Sequence, residues 1–331
     1  MRQRSHSLLL AILLGGIIPV LLLVTFQKGK QNIPDIAPSE TMVNTQPTTT
    51  QPTESQYIPV QALQIPVLMS NGEITQMDLS SYLTAVVLKE MPASFEMEAL
   101  KAQAVVARTY ALRQCTAGSK HTGGAVCVNS ACCQGFCTPE DYLVSGGEQA
   151  MLDRIRDAIL DTENQVLVYD GKLIDATYFS CSGGKTEDAK AVWGTDIPYL
   201  QSVESPGEES ATNYVNTVQY SLDTFSALLG IEKINSLEEW IGSITYTEGG
   251  GVDTIEICGI PYKGTKLREI LGLRSTAFTI TAIGDTVTIT TKGFGHRVGM
   301  SQYGAEAMAV QGSTYEEILS YYYQGAMLVD Y

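Results

Sequence analysis

Chemically capable residues fall in a few short stretches of this chain, and Glu90 is the first of them. It stands in Lys89-Glu90-Met91-Pro92, at the end of a run, Asp78 to Met91, that opens with a capping Asp and carries apolar residues at helical spacing. Pro92 disfavours helical geometry in the residue before it, so the last turn ends at Lys89, Glu90 and Met91. A carboxylate there faces unpaired carbonyls, and any burial adds to the penalty on its charge, so its pKa should be raised and it can act as a proton donor. Taken alone, Glu90 reads equally as a solvated helix-end acid or as a partner of Lys89 or Lys101, because perturbed acids are the exception. Glu96 and Glu98 open the next helix, where the macrodipole favours the charged form and makes a poorer acid. Two Gly-rich loops, Ser182-Gly183-Gly184-Lys185-Thr186 and Gly293 to Gly304, offer backbone amides and close approach to a ligand, although such turns more often serve the fold. His296 in the second loop is one of three histidines; it either contacts a ligand or makes a structural hydrogen bond.

Cysteines 115, 127, 132, 133 and 137 are five of the seven in the chain. Soft thiolates with an imidazole suit Zn²⁺, and four such ligands make a closed, structural site. A disulfide such as Cys115 with Cys137 is the competing reading, although the vicinal Cys132-Cys133 pair fits poorly into two ordinary bridges.

The elements that must position these groups follow from periodicity. A second helix is expected over Phe95 to Gln114, rich in Ala and carrying Lys101, Arg108 and Tyr110 along its length. Residues 115–147 read as a Gly- and Cys-rich loop and Glu148 to Leu160 as a short helix. The pattern then changes to period two: Gln165 to Tyr169 and Leu173 to Ser180 read as a hairpin turning at Asp170-Gly171. Further strands are expected over 243–247, 254–257, 278–283 and 286–290, with helices near 222–229 and 314–323. The class is α+β.

The N-terminus is different in kind. Leu8 to Phe26 carries no charged residue and matches the thickness of a bilayer's hydrocarbon, and it lacks the short apolar region and A-x-A-like exit of a cleaved signal. A single transmembrane anchor at 8–26 is expected, with a short cytoplasmic tail at 1–7. Residues 27–57, rich in Pro, Thr, Gln and Ser, read as a flexible linker. The formal net charge of −15 opposes nucleic acid and other polyanions as partners and leaves a neutral polymer such as a glycan permitted.

Three ordered blocks carry a resemblance: Tyr82 through Glu90-Met91-Pro92 to Phe95 with Glu98, Lys101, Arg108 and Tyr110; Ser180 to Thr186 with Trp193-Gly194; and Gly293 to Ala305. Together they resemble the stage II sporulation protein D family. The departure is Arg297, where the family usually has Gly in a His-Gly-Val-Gly-Met run, which puts the local backbone of that loop in question. The resemblance implies a peptidoglycan lytic transglycosylase that cleaves the MurNAc–GlcNAc bond of peptide-stripped glycan strands to 1,6-anhydroMurNAc ends, in septal wall remodelling and engulfment during sporulation. It implies Glu90 as the catalytic acid/base, with Lys101, Arg108, Tyr110, Ser182, Gly183, Gly184, Thr186, His296, Gln302 and Tyr303 as candidate substrate contacts. His121, Cys127, Cys132 and Cys133 resemble the zinc site of some members, with Cys132 in place of a histidine. Implied partners are a sporulation amidase or endopeptidase and a membrane scaffold protein.

The expected whole is a two-lobed extracytoplasmic domain over 58–331, with mixed helices and antiparallel strands, held by one membrane helix in the cell membrane facing the septal wall. A non-catalytic glycan-binding scaffold is the alternative. A zinc amidase is the third reading, and a closed set of four ligands would argue against it.

Overall fold

The computed structural model describes residues 63–212, 214–232 and 240–331, so the expected tail, anchor and linker lie outside the described residues. Among the described residues no helix is long and apolar enough to cross a membrane.

The first lobe opens with a hairpin, β1 (Gln64–Leu68) and β2 (Ile74–Asp78), leading directly into α1 (Leu79–Glu90). Asp78 caps α1 by accepting from the Ser81 N–H at 2.9 Å. Met91 is extended (φ −129°, ψ 137°), as a residue before proline must be, so Glu90 is the last helical residue. α2 (Met97–Ala117) buries Leu100, Ala102, Ala104, Val105, Val106, Ala107 and Leu112 on every side, which makes it the central rod of the lobe. Its alanines let neighbours pack closely. After α2 come β3 (Val126–Cys127), α3 (Pro139–Val144) and α4 (Gln149–Asp161), and then β4 (Gln165–Tyr169) and β5 (Lys172–Leu173). Asp170 and Gly171 both take positive φ between β4 and β5, as a tight hairpin turn requires. β6 (Tyr178–Phe179) and the short α5 (Ala189–Trp193) complete this part.

The chain then enters a second lobe with its own apolar cluster around Phe225, Trp240, Ile255, Ile257, Leu267, Val287 and Ile289. This lobe holds β7 (Val215–Ser221), α6 (Leu222–Leu229), β8 (Ile241–Tyr246), β9 (Val252–Ile257), β10 (Ile260–Lys263), α7 (Gly264–Ile270), β11 (Phe278–Ile283) and β12 (Thr286–Lys292). They form two antiparallel sheets, in the orders β11-β12-β7 and β10-β9-β8. From β12 the chain returns to the first lobe through β13 (Met300–Ser301), α8 (Gln302–Val310), α9 (Tyr315–Tyr322) and β14 (Met327–Asp330), the last closing on β4.

The α+β class and two lobes are as expected, and among the described strands two pairs depart from antiparallel pairing: β3 lies parallel to β1, and β13 parallel to β6. The second of these matters for function. It sets Met300 beside Tyr178 and Ser301 beside Phe179, and isolated bridges join Cys181 to Phe294 and Glu187 to Val298. Two sequence blocks more than a hundred residues apart thus become one surface.

Candidate active site

Glu90 lies half-buried where α1 ends, and its Oε1 accepts from the Gly135 N–H. Gly135 can approach so closely only because it has no side chain; a Cβ there would meet Lys89 at 2.7 Å and Glu90 Oε1 at 2.8 Å. Burial raises the Glu90 pKa, opposed by the Gly135 N–H, the nearby Lys89 and the Tyr178 hydroxyl. The raised pKa matches the expectation, and burial supplies it. Tyr178 joins a relay: its hydroxyl accepts from Gln134 Nε2 at 3.1 Å, and the Tyr82 hydroxyl donates to Gln134 Oε1 at 3.0 Å. Burial, then the Glu90 charge, raises the Tyr178 pKa, which keeps it a hydroxyl donor.

Glu90 faces a cleft of ≈ 490 Å³ lined by Tyr110, Arg113, Lys120, Asp175, Tyr178, Trp193 and His296. Trp193 is 43% exposed, with its ring 5.3 Å from that of His296, which in turn stands 5.7 Å from Phe179. An exposed aromatic face beside polar groups suits a ring with an apolar face and hydroxyl edges. Burial, with the Arg268 and Lys120 charges, pushes His296 down to about 4, against a hydrogen bond to the Tyr178 backbone. The imidazole is therefore neutral at ordinary pH. Its Nδ1 accepts from the Val298 N–H at 3.1 Å. Asp175 is in the same cleft, paired with Arg113 at 3.5 Å.

Of the expected substrate contacts, Tyr110 and His296 line this cleft with Glu90; the others have different surroundings. Lys101 pairs with Glu98 at 3.2 Å and Asp161 at 3.1 Å. Arg108 is buried and donates to the Gln165 and Ile159 carbonyls, both at 3.1 Å, which ties α2 to β4 and α4. Gln302 is buried against Gln103 at 3.3 Å, and Tyr303 stacks edge-on against Phe95 at 5.1 Å. Thr186 is buried, with its hydroxyl accepting from the Val203 N–H at 2.8 Å. Ser182 and Gly183 direct their N–H groups, at 2.8 and 2.9 Å, to Glu208 Oε2 rather than to a ligand, and Gly184 N–H donates to Ser182 Oγ at 3.0 Å. The Ser182 to Thr186 loop serves the fold because a buried carboxylate already occupies its donors.

Glu208, Gln134, Gly135 and Tyr178 are the residues sequence reasoning passed over. Tyr178 could have been found from the period-two strand that runs into Ser180. Gln134 and Gly135 carry no such signal, lying in a loop whose path is set by tertiary contacts.

His121, Cys127, Cys132 and Cys133 converge, with ligand atoms all within 4.8 Å of one another. His121 Nε2 lies 3.4 Å from Cys132 Sγ and 3.5 Å from Cys133 Sγ. A tetrahedral zinc with ordinary Zn–S and Zn–N bonds sets that edge at about 3.5 Å, so the donor set fits the metal. All seven cysteines are free thiols, and Cys115, pushed up to about 11 by burial and the neighbouring Cys133, does not bridge to Cys137. The loop that carries Cys132 and Cys133 continues directly into Gln134 and Gly135, the two groups that hold Tyr178 and Glu90.

At Arg297 the backbone keeps the left-handed geometry (φ 67°) that a glycine adopts most easily, so the departure from the family pattern leaves the loop's path compatible with either residue.

Comparison with known proteins agrees with the resemblance, and the family model covers the first of the three blocks. The family described as stage II sporulation protein, SpoIID, matches residues 69–169. Stage II sporulation protein D of Bacillus subtilis (strain 168) is 37% identical over 334 residues, covering 99% of this chain and 96% of the relative. That of Bacillus amyloliquefaciens is 40% identical over 261 residues, 77% of this chain and 75% of the relative. The amidase enhancer of Bacillus subtilis is 29% identical over 75% of this chain and 40% of its own length.

Proposed function

Because this chain belongs to the stage II sporulation protein (SpoIID) family, we propose that it is a membrane-tethered lytic transglycosylase acting on peptide-stripped peptidoglycan strands during sporulation. The observation that carries this reading is one half-buried acid with a raised pKa, Glu90, facing a cleft that also presents an exposed Trp193 and a neutral His296.

Protonated Glu90 gives its proton to the glycosidic oxygen as the C1–O bond of MurNAc breaks. The substrate's own 6-hydroxyl then attacks C1, and the Glu90 carboxylate takes the hydroxyl proton as the 1,6-anhydro ring closes. Atoms balance without water, and one carboxylate serves both steps, whereas a hydrolase of the usual kind needs two. The Gly135 N–H and Tyr178 hydroxyl fix the carboxyl rotamer and stabilise its charged form between the two steps. Zinc bound by His121, Cys127, Cys132 and Cys133 would be structural, holding the loop that presents Gln134 and Gly135.

Asp175 favours a second reading, in which it activates water and the reaction is hydrolysis. Its pairing with Arg113 weighs against that role. The products decide: full-length chain in detergent is incubated with peptide-free glycan strands, beside Glu90→Gln, and analysed by mass spectrometry. Anhydro ends made by the wild type alone support the proposal. Reducing ends would replace it with hydrolysis, and no cleavage by either would favour a glycan-binding scaffold. The tether over 8–26, the location facing the septal wall, and partnership with a cell-wall amidase or endopeptidase and a membrane scaffold protein belong to the same proposal. The likeness to an amidase enhancer supports the amidase.

A further inference from the structure

We propose that Arg297 is a positioning residue for the aromatic wall of the Glu90 cleft, clamping His296 and Trp193 against each other and fastening both to the second lobe. The proposal rests on the reading of that cleft as a glycan site.

Arg297 is 2% exposed and pairs with fully buried Glu187 at 3.1 Å. Every side of its guanidinium is used. Nε donates to the Ser182 carbonyl at 2.6 Å, and Nη2 donates to the Lys185 carbonyl at 2.7 Å and the Gly249 carbonyl at 2.6 Å. The main chains are joined as well, with the Glu187 N–H donating to the Arg297 carbonyl at 2.6 Å. Glu187 and Arg297 are thus locked through backbone and side chain together.

What this lock holds is visible from its neighbours in sequence. Two residues after Glu187, α5 begins; Asp188 caps it, and it ends at Trp193. One residue before Arg297 is His296. The two rings that face each other at 5.3 Å are therefore carried by the two segments the ion pair joins. On the far side, Glu187 Oε1 accepts from the Gly251 N–H at 3.0 Å and the Thr247 hydroxyl at 2.8 Å, both in the turn between β8 and β9. At two positions that turn has no room for a side chain: a Cβ on Gly249 would fall 2.6 Å from Glu187 Oε2, and one on Gly251 2.3 Å from Glu187 Oε1. The second lobe is therefore seated on the clamp. The partners of Arg297 come from two separate segments, at Ser182, Lys185 and Glu187 and at Gly249, so the contact is not local to its own loop.

The test uses full-length chain in detergent carrying Arg297→Gly, which the left-handed backbone accommodates, and separately Glu187→Gln, which keeps the shape and removes the charge. Binding of peptide-free glycan is measured in the Glu90→Gln background, so no turnover is needed. Trp193 emission is read with Trp240→Phe, since the chain has two tryptophans. Arg297→Gly should weaken glycan binding about tenfold in that background and, with Glu90 intact, raise KM with kcat within about twofold, the pattern of lost binding rather than lost chemistry. Trp193 should also become more accessible to a soluble quencher. A folded Arg297→Gly protein with parental glycan affinity and parental Trp193 quenching would overturn the proposal, even if its melting temperature fell. The same two parental readings in Glu187→Gln would overturn it too, should Arg297→Gly fail to fold. If the chain neither cleaves nor binds glycan, the proposed function fails, while the quenching experiment still tests the clamp.

Discussion

Around Glu90 and around Glu208 the fold buries the same functional group by opposite means. Glu208 is 1% exposed and takes donors from Ser182 N–H, Ser182 Oγ, Gly183 N–H, Ser205 Oγ and Ser301 Oγ. Glu90 is half-buried and receives the Gly135 N–H and the Tyr178 hydroxyl, while one side faces a cleft. A carboxylate whose acceptor sites are filled holds loops together and has nothing left to offer a substrate. One that is desolvated but under-supplied with donors favours its protonated form and is ready to give the proton away. The number of donors, more than the depth of burial, separates the structural acid from the chemical one.

The widest expected separation comes from Glu90→Gln, which should lower formation of anhydro ends at least about 10³-fold, near the upper end for general acid–base catalysis, with little change in melting. Its pH behaviour sharpens the contrast. Folded Glu90 holds its proton over a range in which the unfolded chain has released it, so stability falls as pH rises from the ordinary carboxylate range through the raised Glu90 pKa. Urea titrations across that window should show the fall in wild type and its absence in Glu90→Gln, and activity should decline on the same limb.

Glu208→Ala should do the reverse. Five donors lose their acceptor, and unfolding free energy should drop by about 3–5 kcal/mol by urea denaturation, with activity per folded molecule changed much less. Parental stability for this variant would break the comparison.

Removing metal with a chelator should lower the melting temperature by roughly 4–8 °C, as a loss of about 2 kcal/mol would in a domain of this size, and re-added zinc should restore it. Activity should fall with it, because the released loop presents Gly135 to Glu90. The smallest effect is expected of Tyr178→Phe, about tenfold in kcat, together with a further rise in the pH limit of activity, since the hydroxyl that lowers the Glu90 pKa is gone.

How far the sequence could lead is clear from particular elements. Helix α6 over 222–229 and strand β11 over 278–283 have the expected bounds, because apolar periodicity and flanking turn residues act locally. The hairpin β1–β2 and the strand β7 were passed over: their outward faces are exposed, and pairing across the chain decides them. Helix α8 begins inside the stretch whose glycines predict a loop, yet Ser301 caps it and Gln302 lies in its first turn.

The sequence alone determined that Glu90 ends a helix, since Pro92 imposes that locally, and its resemblance to the zinc site of some family members marked His121, Cys127, Cys132 and Cys133 as a ligand set. It carried the family blocks in order. The tertiary structure alone decided which block residues share a cleft. Tyr110 and His296 reach Glu90, while Arg108 and Ser182 turn to carbonyls and to Glu208, because each buried polar group takes the partner that packing brings within hydrogen-bond distance. Sequence spacing does not encode that distance when β13 must first lie beside β6 to create it.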